Sequence, residues 1–533
     1  MNRLIIITLF LISLIPSQTA KANMVQSYDI VIYGATSSGV IAAYTAAKEG
    51  KKVVLIGTDT HIGGLSSGGL GQTDIGNKMV IGGMSRDFYK RLGTYYNQDE
   101  AWVFEPSAAS KVFAQYLTDA KIPLILNKKV LKVNKAQNTI NSITLVNTLG
   151  KPGKPQTISA KVFLDCTYEG DLLAMAGVSY TVGREDNTLY DEQYSGYHLP
   201  EYRKASGYHQ FPDHVSPYVI KDDPKSGLLW GISNMQPRKN GDGDKGVQAY
   251  NFRICLTDSL ENMIPISKPD NYDPKKYELL IRVFESQPND RTIGSYFIWS
   301  KMPNRKTDIN NRGAFSTDMI GANHNWPEAT HEERKKIYKE HLDYTKGLLF
   351  FYTTDSRVPD TLRNFVKQWG YPKDEYKNNQ NFTPQIYVRE GRRMIGEYVM
   401  TENNCTGKRN AEDPVGMAAY GMDSHNVNRL VVNGMVKNEG NVEIGGFKPY
   451  PISYRSITPK KNECSNLLVP VSMSSSHIAF GSIRMEPVFM VLGESAALAA
   501  VQAIDEKKAV QDINYNTLRA KLLAKGQILE FNK

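Results

Sequence analysis

The sequence predicts an α/β fold interrupted by an inserted, loop-rich α+β domain, and three observations support this prediction. Two apolar runs at 29–33 and 53–56 have the composition of buried parallel strands, and the alanine-rich segment 40–47 between them is typical of a helix. Between 185 and 380 the chain is rich in Tyr, Pro, Asn and Asp and holds few apolar periods. Its 533 residues exceed what one compact core usually organises.

A glycine-flanked turn joins the first strand of this βαβ unit to its helix. Glycines let the backbone pass close to a pyrophosphate, and a helix N-terminus presents free N–H groups to an anion. The turn therefore predicts a Rossmann-like dinucleotide site formed by Gly34, Ala35, Thr36, Ser37, Ser38 and Gly39. Thr36 replaces the middle glycine of the usual pattern, and Gly57 replaces the acid that usually holds the ribose. The alternative is a tight turn that binds nothing.

A second loop, at 61–71, contains five glycines in eleven residues. Each glycine costs up to about 1 kcal/mol inside a helix or strand, so the run is expected to form neither. Its backbone is suited to lie flat against a large planar ring such as a flavin. The predicted contact residues are Gly63, Gly64, Leu65, Ser66, Ser67, Gly68 and Gly69. A flexible linker is the alternative, but the apolar Leu65 and Leu70 argue against it.

Five sequence blocks carry a resemblance to a known family. They lie at 33–39, 63–76, 165–172, 387–393 and 467–493, and together they extend over essentially the whole mature chain. With these blocks the chain resembles the FAD-dependent oxidoreductases often labelled xanthan-lyase-related, within the glutathione-reductase-like flavoprotein group. The resemblance implies a Rossmann-like FAD-binding domain of the glutathione-reductase type, with FAD as the cofactor.

The resemblance also implies FAD contacts outside the two glycine loops. The corresponding segments are the end of the second strand, the strand near 130, the turn after 164 and the start of the helix near 487. The implied residues are Gly57, Thr58, Val130, Asp165, Cys166, Thr167, Met485 and Glu486. Thr58 or Asp59 is expected to stand in for the ribose-binding acid that is missing at Gly57. For Asp165 the alternative is a carboxylate that caps a helix.

The expected domain order follows from these assignments. A signal peptide occupies 1–22, the FAD-binding domain is formed by 27–184 and 385–510, the inserted substrate domain spans 185–384, and a C-terminal tail covers 511–533. The aromatic side chains of the insertion, such as Trp230 and Trp299, suit either a protein core or a platform for sugar rings.

The first 22 residues have the pattern of a secretory signal peptide. Arg3 provides a basic start, 4–15 is an apolar run, and 20–22 is an A-x-A cleavage site. The run is too short for an ordinary transmembrane helix, and no later segment has 18 consecutive apolar residues. The mature chain is therefore expected to be periplasmic or secreted and to lack an integral membrane segment. Cleavage lowers the formal net charge from +9 to +7, because Arg3 and Lys21 are lost and no acid is.

The remaining positive charge is dispersed along the chain. Because nucleic-acid binding usually needs a clustered basic patch, the expected partner is a small-molecule or saccharide substrate and not a nucleic acid. The four cysteines lack C-x-x-C spacing, so we predict no zinc site, no redox pair and no bound metal. Cys405 and Cys464 lie in polar segments, and an oxidising compartment leaves a disulfide between them open.

His477 is the leading candidate for proton transfer. Oxidation of an alcohol by hydride transfer to a flavin needs a base, and imidazole titrates near neutral pH. A buried, hydrogen-bonded core histidine is the alternative. Arg389, Arg392 and Arg484 are candidates to bind an anionic substrate or to stabilise an oxyanion. Their alternative role is ion pairing with an acid, for which the expected partners are Glu390, Glu397 and Glu486.

Three functions are compatible with these features. The leading one is an exported FAD-dependent oxidoreductase that transfers a hydride between a small, saccharide-derived substrate and flavin. The second is a polysaccharide lyase of the xanthan-lyase type, which would leave the two glycine loops without a purpose. The third is a non-catalytic glycan-binding protein on a flavoprotein fold. Flavin binding by the purified protein separates the first from the others.

The signal peptide makes a prediction about the mature N-terminus. Cleavage after the A-x-A site should place the first residue between Lys21 and Met24, with Asn23 the expected one. N-terminal sequencing or intact mass measurement of protein from the native cell envelope checks this. An intact Met1 on that protein would contradict it.

Overall fold

The computed structural model describes residues 25–150, 153–199, 209–290 and 292–531. The predicted signal peptide lies outside these residues. The described part contains 19 strands and 12 α-helices. Strands and helices alternate in the first third of the chain, and most of the later strands are short and paired.

The strands have the following bounds: β1 Gln26–Tyr33, β2 Val53–Ile56, β3 Leu124–Ile125, β4 Lys128–Ala136, β5 Thr139–Asn147, β6 Gln156–Asp165, β7 Tyr180–Thr181, β8 Met263–Pro265, β9 Phe297–Met302, β10 Lys306–Asn311, β11 Gly370–Pro372, β12 Arg393–Met394, β13 Pro414–Ala418, β14 Met422–Ser424, β15 Asn428–Val432, β16 Met435–Glu439, β17 Val442–Ile444, β18 Tyr450–Ser453 and β19 Leu467–Leu468.

The α-helices have the following bounds: α1 Ser37–Lys48, α2 Gly64–Ser67, α3 Gly83–Thr94, α4 Pro106–Asp119, α5 Asp171–Met175, α6 Glu278–Ser286, α7 His331–Thr354, α8 Asp360–Val366, α9 Glu402–Cys405, α10 His477–Ile483, α11 Glu486–Glu506 and α12 Tyr515–Ala524. Single 3-10 turns occupy Lys78–Val80, Pro224–Ser226, Pro274–Tyr277, Ile293–Ser295, Pro303–Arg305, Trp326–Glu328, Lys377–Asn379, Tyr454–Ser456 and Val510–Asp512.

A seven-stranded mixed sheet organises the N-terminal part of the fold. Its strands run in the order β3-β2-β1-β6-β5-β4, and β19 pairs with the end of β6. β1 is parallel to β2 and β6, with Tyr33 opposite both Ile56 and Asp165, so the carboxyl ends of these three strands meet at one edge. That edge is where open α/β sheets bind their ligands. The predicted α/β, Rossmann-like fold is confirmed.

Helix α11 forms the centre of the core and packs across α1. A Cβ added at Gly493 would lie 2.5 Å from the carbonyl oxygen of Ser38, so only glycine allows the two helices to approach this closely. In the described part of the chain, α11 alone is long and apolar enough to cross a membrane. However, 94% of its most apolar window is buried inside the protein, as expected of a core helix.

Residues 185–466 contribute no strand to the central sheet within the part that the structure describes. They form separate antiparallel pairs, among them β9 with β10 and β8 with β11. Their aromatic side chains pack mainly on one another: Trp299 lies edge-on to Phe365 and Trp369, with ring centroids 5.2 and 5.4 Å apart. The chain meets the N-terminal part again where β12 pairs with β7, and it rejoins the sheet at β19.

Several sequence-based details differ from the structure. The pattern at 105–107 predicts Ser107 as a helix N-cap, but α4 begins at Pro106 after Glu105, and the Ser107 hydroxyl donates to Glu375 at 2.8 Å. The second glycine loop does contain one helical turn, α2. Proline favours the first position of a helix, so the sequence predicts that a helix begins at Pro487, but Pro487 is the second residue of α11. The segment expected to be a tail contains α12, whose Leu518 and Leu522 are buried.

The four cysteines are free and buried thiols in the structure. The disulfide left open between Cys405 and Cys464 is therefore not formed. Burial raises the pKa of the Cys405 thiol to about 12, which makes it a poor nucleophile at neutral pH.

Glu494 is a buried carboxyl group in the middle of α11. It is 1% exposed, and its Oε2 accepts hydrogen bonds from the Met84 amide at 2.8 Å and from the Gln527 side chain. Burial raises its pKa from 4.5 to about 7, because the charged form is poorly solvated there. The group therefore favours the folded state less as pH rises from the unfolded value of 4.5 to the folded value of about 7.

Glu494→Gln should remove this pH dependence. The variant should gain about 1–3 kcal/mol of unfolding free energy relative to the parent between pH 5 and pH 8, since one pKa unit corresponds to about 1.4 kcal/mol. Urea unfolding at the two pH values measures the difference. Glu506→Gln, at the exposed end of the same helix, is the matched control and should not show the effect. Parallel pH profiles of the parent and Glu494→Gln would contradict the prediction.

Candidate functional site

The first glycine turn lies where the three parallel strands end. Gly34 has φ +112°, and a Cβ there would lie 2.5 Å from the carbonyl carbon of Cys166. A Cβ at Gly39 would lie 1.9 Å from the Gly34 oxygen. Thr36 caps α1: its hydroxyl accepts from the Gly39 amide at 3.3 Å and donates to the Cys166 oxygen at 2.8 Å. The turn is thus held tightly, with the free N–H groups of the first turn of α1 beside it.

The second glycine loop lies between the first turn and the insertion. Gly63 and Gly64 have φ of +92° and +55°, and the Gly63 amide donates to the Ala35 oxygen at 2.8 Å. On the other side, a Cβ at Gly68 would lie 2.3 Å from the Cβ of Gln385, and one at Gly69 would lie 2.3 Å from the Arg253 oxygen. The Ser67 hydroxyl donates to the oxygen of Ile62 within the loop.

Glu486 joins both loops to the N-terminus of α11. Its Oε2 accepts from the hydroxyls of Ser37 and Ser66, the latter at 2.9 Å, and its Oε1 accepts from the Tyr168 hydroxyl at 2.6 Å. The Tyr168 oxygen in turn accepts the Leu65 amide at 2.9 Å. Burial raises the pKa of Glu486, although these donors oppose the shift. The N-terminal position on a helix also favours its charged form.

Asp165 and Cys166 lie beneath the first turn. Asp165 is 0% exposed, and its two oxygens accept from Thr167 and from the Leu173 amide at the start of α5. This is the capping role given as the alternative to a cofactor contact. Burial raises the pKa of Asp165 to about 6. Cys166 is also 0% exposed and contributes its backbone oxygen to Thr36.

Two adjoining cavities follow the sheet edge. A narrow one of about 60 Å³ runs along the first turn, and a wide one of about 670 Å³ lies beyond the end of β2. The predicted residues that line the narrow cavity are Gly34, Ala35, Thr36, Gly57, Thr58, Gly64 and Thr167. Thr58, Val130 and Arg392 line the wide cavity, which the insertion covers with Trp326 and Tyr338.

Arg392 belongs to this wide cavity and not to the region of the other two arginines. Its Nη1 lies 2.8 Å from Asp171, which also forms a bidentate ion pair with Arg334 of α7. These two arginines hold the pKa of Asp171 below its usual range, against the effect of its burial. Arg392 thus helps to hold Asp171, the carboxylate to which Arg334 of the insertion is anchored.

A second group of polar residues, here named the charged cluster, lies beside the start of α11. It comprises Asp74, Arg253, Asp318, Tyr387, Arg389, Asp423, His425 and Arg484. Arg484 donates to the Tyr387 hydroxyl at 2.6 Å and lies 3.2 Å from Asp423. Arg253 lies 3.0 Å from Asp74, which continues the second glycine loop. The cluster is therefore reached both from that loop and from α11.

Arg389 is a fully buried member of the charged cluster. It is 0% exposed and lies 2.9 Å from Asp318, whose other oxygen lies 2.8 Å from Nδ1 of His425. The acids expected to pair with the three arginines are wrong: the partners are Asp318, Asp171 and Asp423. Glu390 binds Arg393 and His477 instead.

His477 and His425 differ in their access to solvent. His477 has a 1% exposed side chain, and its ring nitrogens lie 2.9 Å from Ser424 Oγ and 2.8 Å from Glu390. The His425 side chain is 12% exposed, and the one polar partner of its Nε2 among the described residues is Asp423 at 3.5 Å. Burial and Arg389 lower the pKa of His425, but Asp423 and Asp318 outweigh them and raise it above 6.5.

Sequence reasoning did not find His425, Asp318 or Asp423. Asp423 lies in β14 and His425 directly follows that strand, so the available local signal was a pair of ionisable residues two positions apart at the end of a short strand. Asp318 lies in a loop more than 100 residues upstream, and only the folded chain brings it to His425.

Comparison with known proteins identifies the family. The family model described as FAD dependent oxidoreductase matches residues 29–522. The thiamine thiazole synthases of Pyrococcus horikoshii and Pyrococcus abyssi are 29% and 28% identical over 153 residues, which are 27% of this chain and 59% of each relative. The chain thus matches less than two thirds of the length of these curated relatives.

Solved structures resemble 30% of the chain, much less than the family model covers. The THI4 protein of Thermovibrio ammonificans is 18% identical, with a TM-score of 0.24, over 30% of this chain and 66% of that one. The L-proline dehydrogenase of P. horikoshii is 15% identical, with a TM-score of 0.24, over 30% of this chain and 59% of that one.

The chain belongs to the FAD dependent oxidoreductase family. FAD is therefore its cofactor, and the residues present fit it. The narrow cavity follows glycine backbone that a side chain at Gly34 would obstruct, beside the N-terminus of α1. The adjoining wide cavity has the volume of a typical ligand pocket, as the nucleoside end requires.

Gly39→Ala should weaken FAD binding, because even a single methyl group does not fit at this position. The new Cβ would lie 1.9 Å from the Gly34 oxygen and must displace the turn. We expect a loss of about 10- to 100-fold in affinity, since steric misfits of this kind cost about 1–3 kcal/mol. Flavin absorbance of the purified protein and titration of the apoprotein measure it.

Gly294→Ala is the matched control for this prediction. A Cβ at Gly294 would meet no atom of the described residues within 4 Å, so FAD binding should be unchanged. Full FAD retention by Gly39→Ala would remove the first glycine turn from the site.

Proposed function

We propose that this oxidoreductase acts outside the cytoplasm on a small polyhydroxylated, saccharide-derived substrate, which it oxidises by hydride transfer. The observation that carries the proposal is the charged cluster at the start of α11, with a partly exposed imidazole held between Asp318 and Asp423. Bound FAD supplies the acceptor for two electrons. The chain itself must bind the hydroxyl group and remove its proton.

His425 is the residue proposed to take the hydroxyl proton. Asp318 accepts Nδ1–H at 2.8 Å and fixes the ring, which leaves Nε2 to face a substrate hydroxyl. Its only partner among the described residues, Asp423, lies at 3.5 Å, which is longer than a good hydrogen bond. Because its pKa is raised, His425 is charged over more of the neutral range and must be deprotonated before it acts as a base.

Arg484 is proposed to position the oxygen from which the proton leaves. It lies directly before the N-cap of α11 and is 3% exposed, and its Nη1 donates to Tyr387. Two guanidinium groups lie over the Tyr387 ring, that of Arg389 at 4.7 Å and that of Arg484 at 5.4 Å from the ring centroid. Together with the partly exposed carboxylates of Asp74 and Asp423, these groups offer both donors and acceptors, as a polyol requires.

Anaerobic bleaching of the flavin by a panel of sugars and sugar acids tests the reaction class. A true substrate should bleach the bound flavin and yield a carbonyl product. A lyase would form an unsaturated product while the flavin stays oxidised, and a glycan-binding protein would bind without either change. Either of these outcomes would overturn the proposal.

His425→Asn should retain FAD and slow flavin reduction by about 10²–10⁴-fold, the usual contribution of a positioned acid or base. In the parent, the rate should rise with pH through a pKa above 6.5 and level off beyond it, because the neutral imidazole is the reactive form. In His425→Asn this dependence should be lost. Stopped-flow reduction across a pH series measures both effects.

His209→Asn is the control, because this second imidazole lies near His425 but pairs with the exposed Glu443. It should keep the pH dependence. If His477→Asn loses the rate while His425→Asn keeps it, proton transfer belongs to the buried histidine.

A further inference from the structure

We infer that Asp59 holds the ribose hydroxyls of FAD, in place of the acid that position 57 lacks. The inference concerns the cofactor of the family and is independent of the proposed substrate. It rests on the space around Gly57, on the place where the two cavities join, and on the way in which the loop after β2 is held.

Position 57 is crowded by neighbouring side chains. A Cβ at Gly57 would lie 2.7 Å from Cδ2 of Leu126 and 3.1 Å from the Cβ of Ala35. A larger residue there requires the Leu126 side chain to shift. The end of β2 thus provides backbone to the narrow cavity, and the carboxylate must come from elsewhere.

The ribose has a defined place between the two cavities. The pyrophosphate requires the glycine turn and the helix N-terminus, which border the narrow cavity, while the base needs the wide cavity. Because the ribose is covalently joined to both, it must lie where the cavities meet. Two carboxylates line both cavities at this junction, those of Asp59 and Glu169.

Asp59 has an oxygen available for the ribose. Its Oδ1 accepts the His61 amide at 2.7 Å, which fixes the direction of the side chain. Among the described residues, Oδ2 accepts no hydrogen bond, and the side chain is open to the cavity. A carboxylate of this kind accepts hydrogen bonds from two neighbouring hydroxyls, as the acid at the end of the second strand does in dinucleotide sites.

The loop that carries Asp59 is held in place before any ligand binds. The backbone oxygen of Asp59 accepts a hydrogen bond from the Asn127 amide at 3.2 Å, and that of Gly57 accepts one from the Lys128 amide at 3.0 Å. The Thr58 oxygen accepts the Thr148 hydroxyl at 2.8 Å. These contacts fasten the loop to β4 and to the end of β5, so the carboxylate is preorganised.

Glu169 is the other carboxylate at the junction and is already engaged. Its Oε1 accepts from the indole of Trp326 at 3.2 Å, and it lies near the ion pair of Arg334 with Asp171. It therefore belongs to the contacts that fasten the insertion. This makes Glu169→Gln a control with the same change of charge at the same junction.

The test compares FAD with an analogue that lacks the 2′ and 3′ hydroxyls of the adenosine ribose. Apoprotein of the parent, Asp59→Asn and Glu169→Gln is titrated with each flavin, and flavin fluorescence gives the dissociation constants. The parent should prefer FAD by about 10- to 100-fold, the usual effect of hydrogen bonds to a charged group. Asp59→Asn should reduce this preference to a few-fold, whereas its affinity for the analogue should remain close to that of the parent.

Glu169→Gln should keep the full preference for FAD. Loss of the preference in Glu169→Gln, or its retention in Asp59→Asn, would overturn the inference. Asp59→Ala serves as a second variant and should show the same loss as Asp59→Asn. Because Asp59 is exposed and lies in a loop, its variants should fold like the parent. Thermal unfolding of each apoprotein checks this.

Discussion

The carboxylate of Glu486 is the contact on which the arrangement of the site depends. It receives hydroxyl groups from the first glycine turn, from the second glycine loop and from Tyr168 after β6, and it begins the central helix α11. Four segments far apart in sequence thus converge on one buried acid. A buried carboxylate without hydrogen bonds would be costly, so the loss of any one of these donors would destabilise the arrangement of the others. The sheet edge, both glycine loops and α11 consequently keep one fixed geometry.

The insertion completes the site. Ser37 and Ser66 fix the loops from below, while α7 reaches over the wide cavity and is anchored by the ion pair of Arg334 with Asp171. On the opposite side of the second loop, Arg253 packs against Gly69 and forms an ion pair with Asp74 in the charged cluster. The same loop therefore lies between the predicted cofactor site and the proposed substrate region.

The contrast between His477 and His425 shows where reasoning from sequence reached its limit. Both follow short strands or turns with polar neighbours, and neither is marked by a motif. The sequence favours His477 because it lies between a serine run and the turn at 484–487, yet the structure surrounds it with Glu390 and Ser424. His425 depends on Asp318, a residue brought close only by the folding of the insertion. Which imidazole can meet a substrate is a question of burial, and local sequence does not encode it.

By itself, the sequence determined the βαβ unit, the two glycine loops and hence the class of cofactor. These features are local. The period of the apolar residues, two in a strand and 3.6 in a helix, and the backbone angles that favour glycine both depend on residues close together in the chain. Only the tertiary structure decided the partners of Arg389, Arg392 and Arg484, the capping role of Asp165 and the free state of the cysteines. These depend on distances between residues far apart in the chain. Because an ion pair or a buried hydrogen bond forms wherever packing brings charges together, its partners follow from the fold and not from sequence spacing.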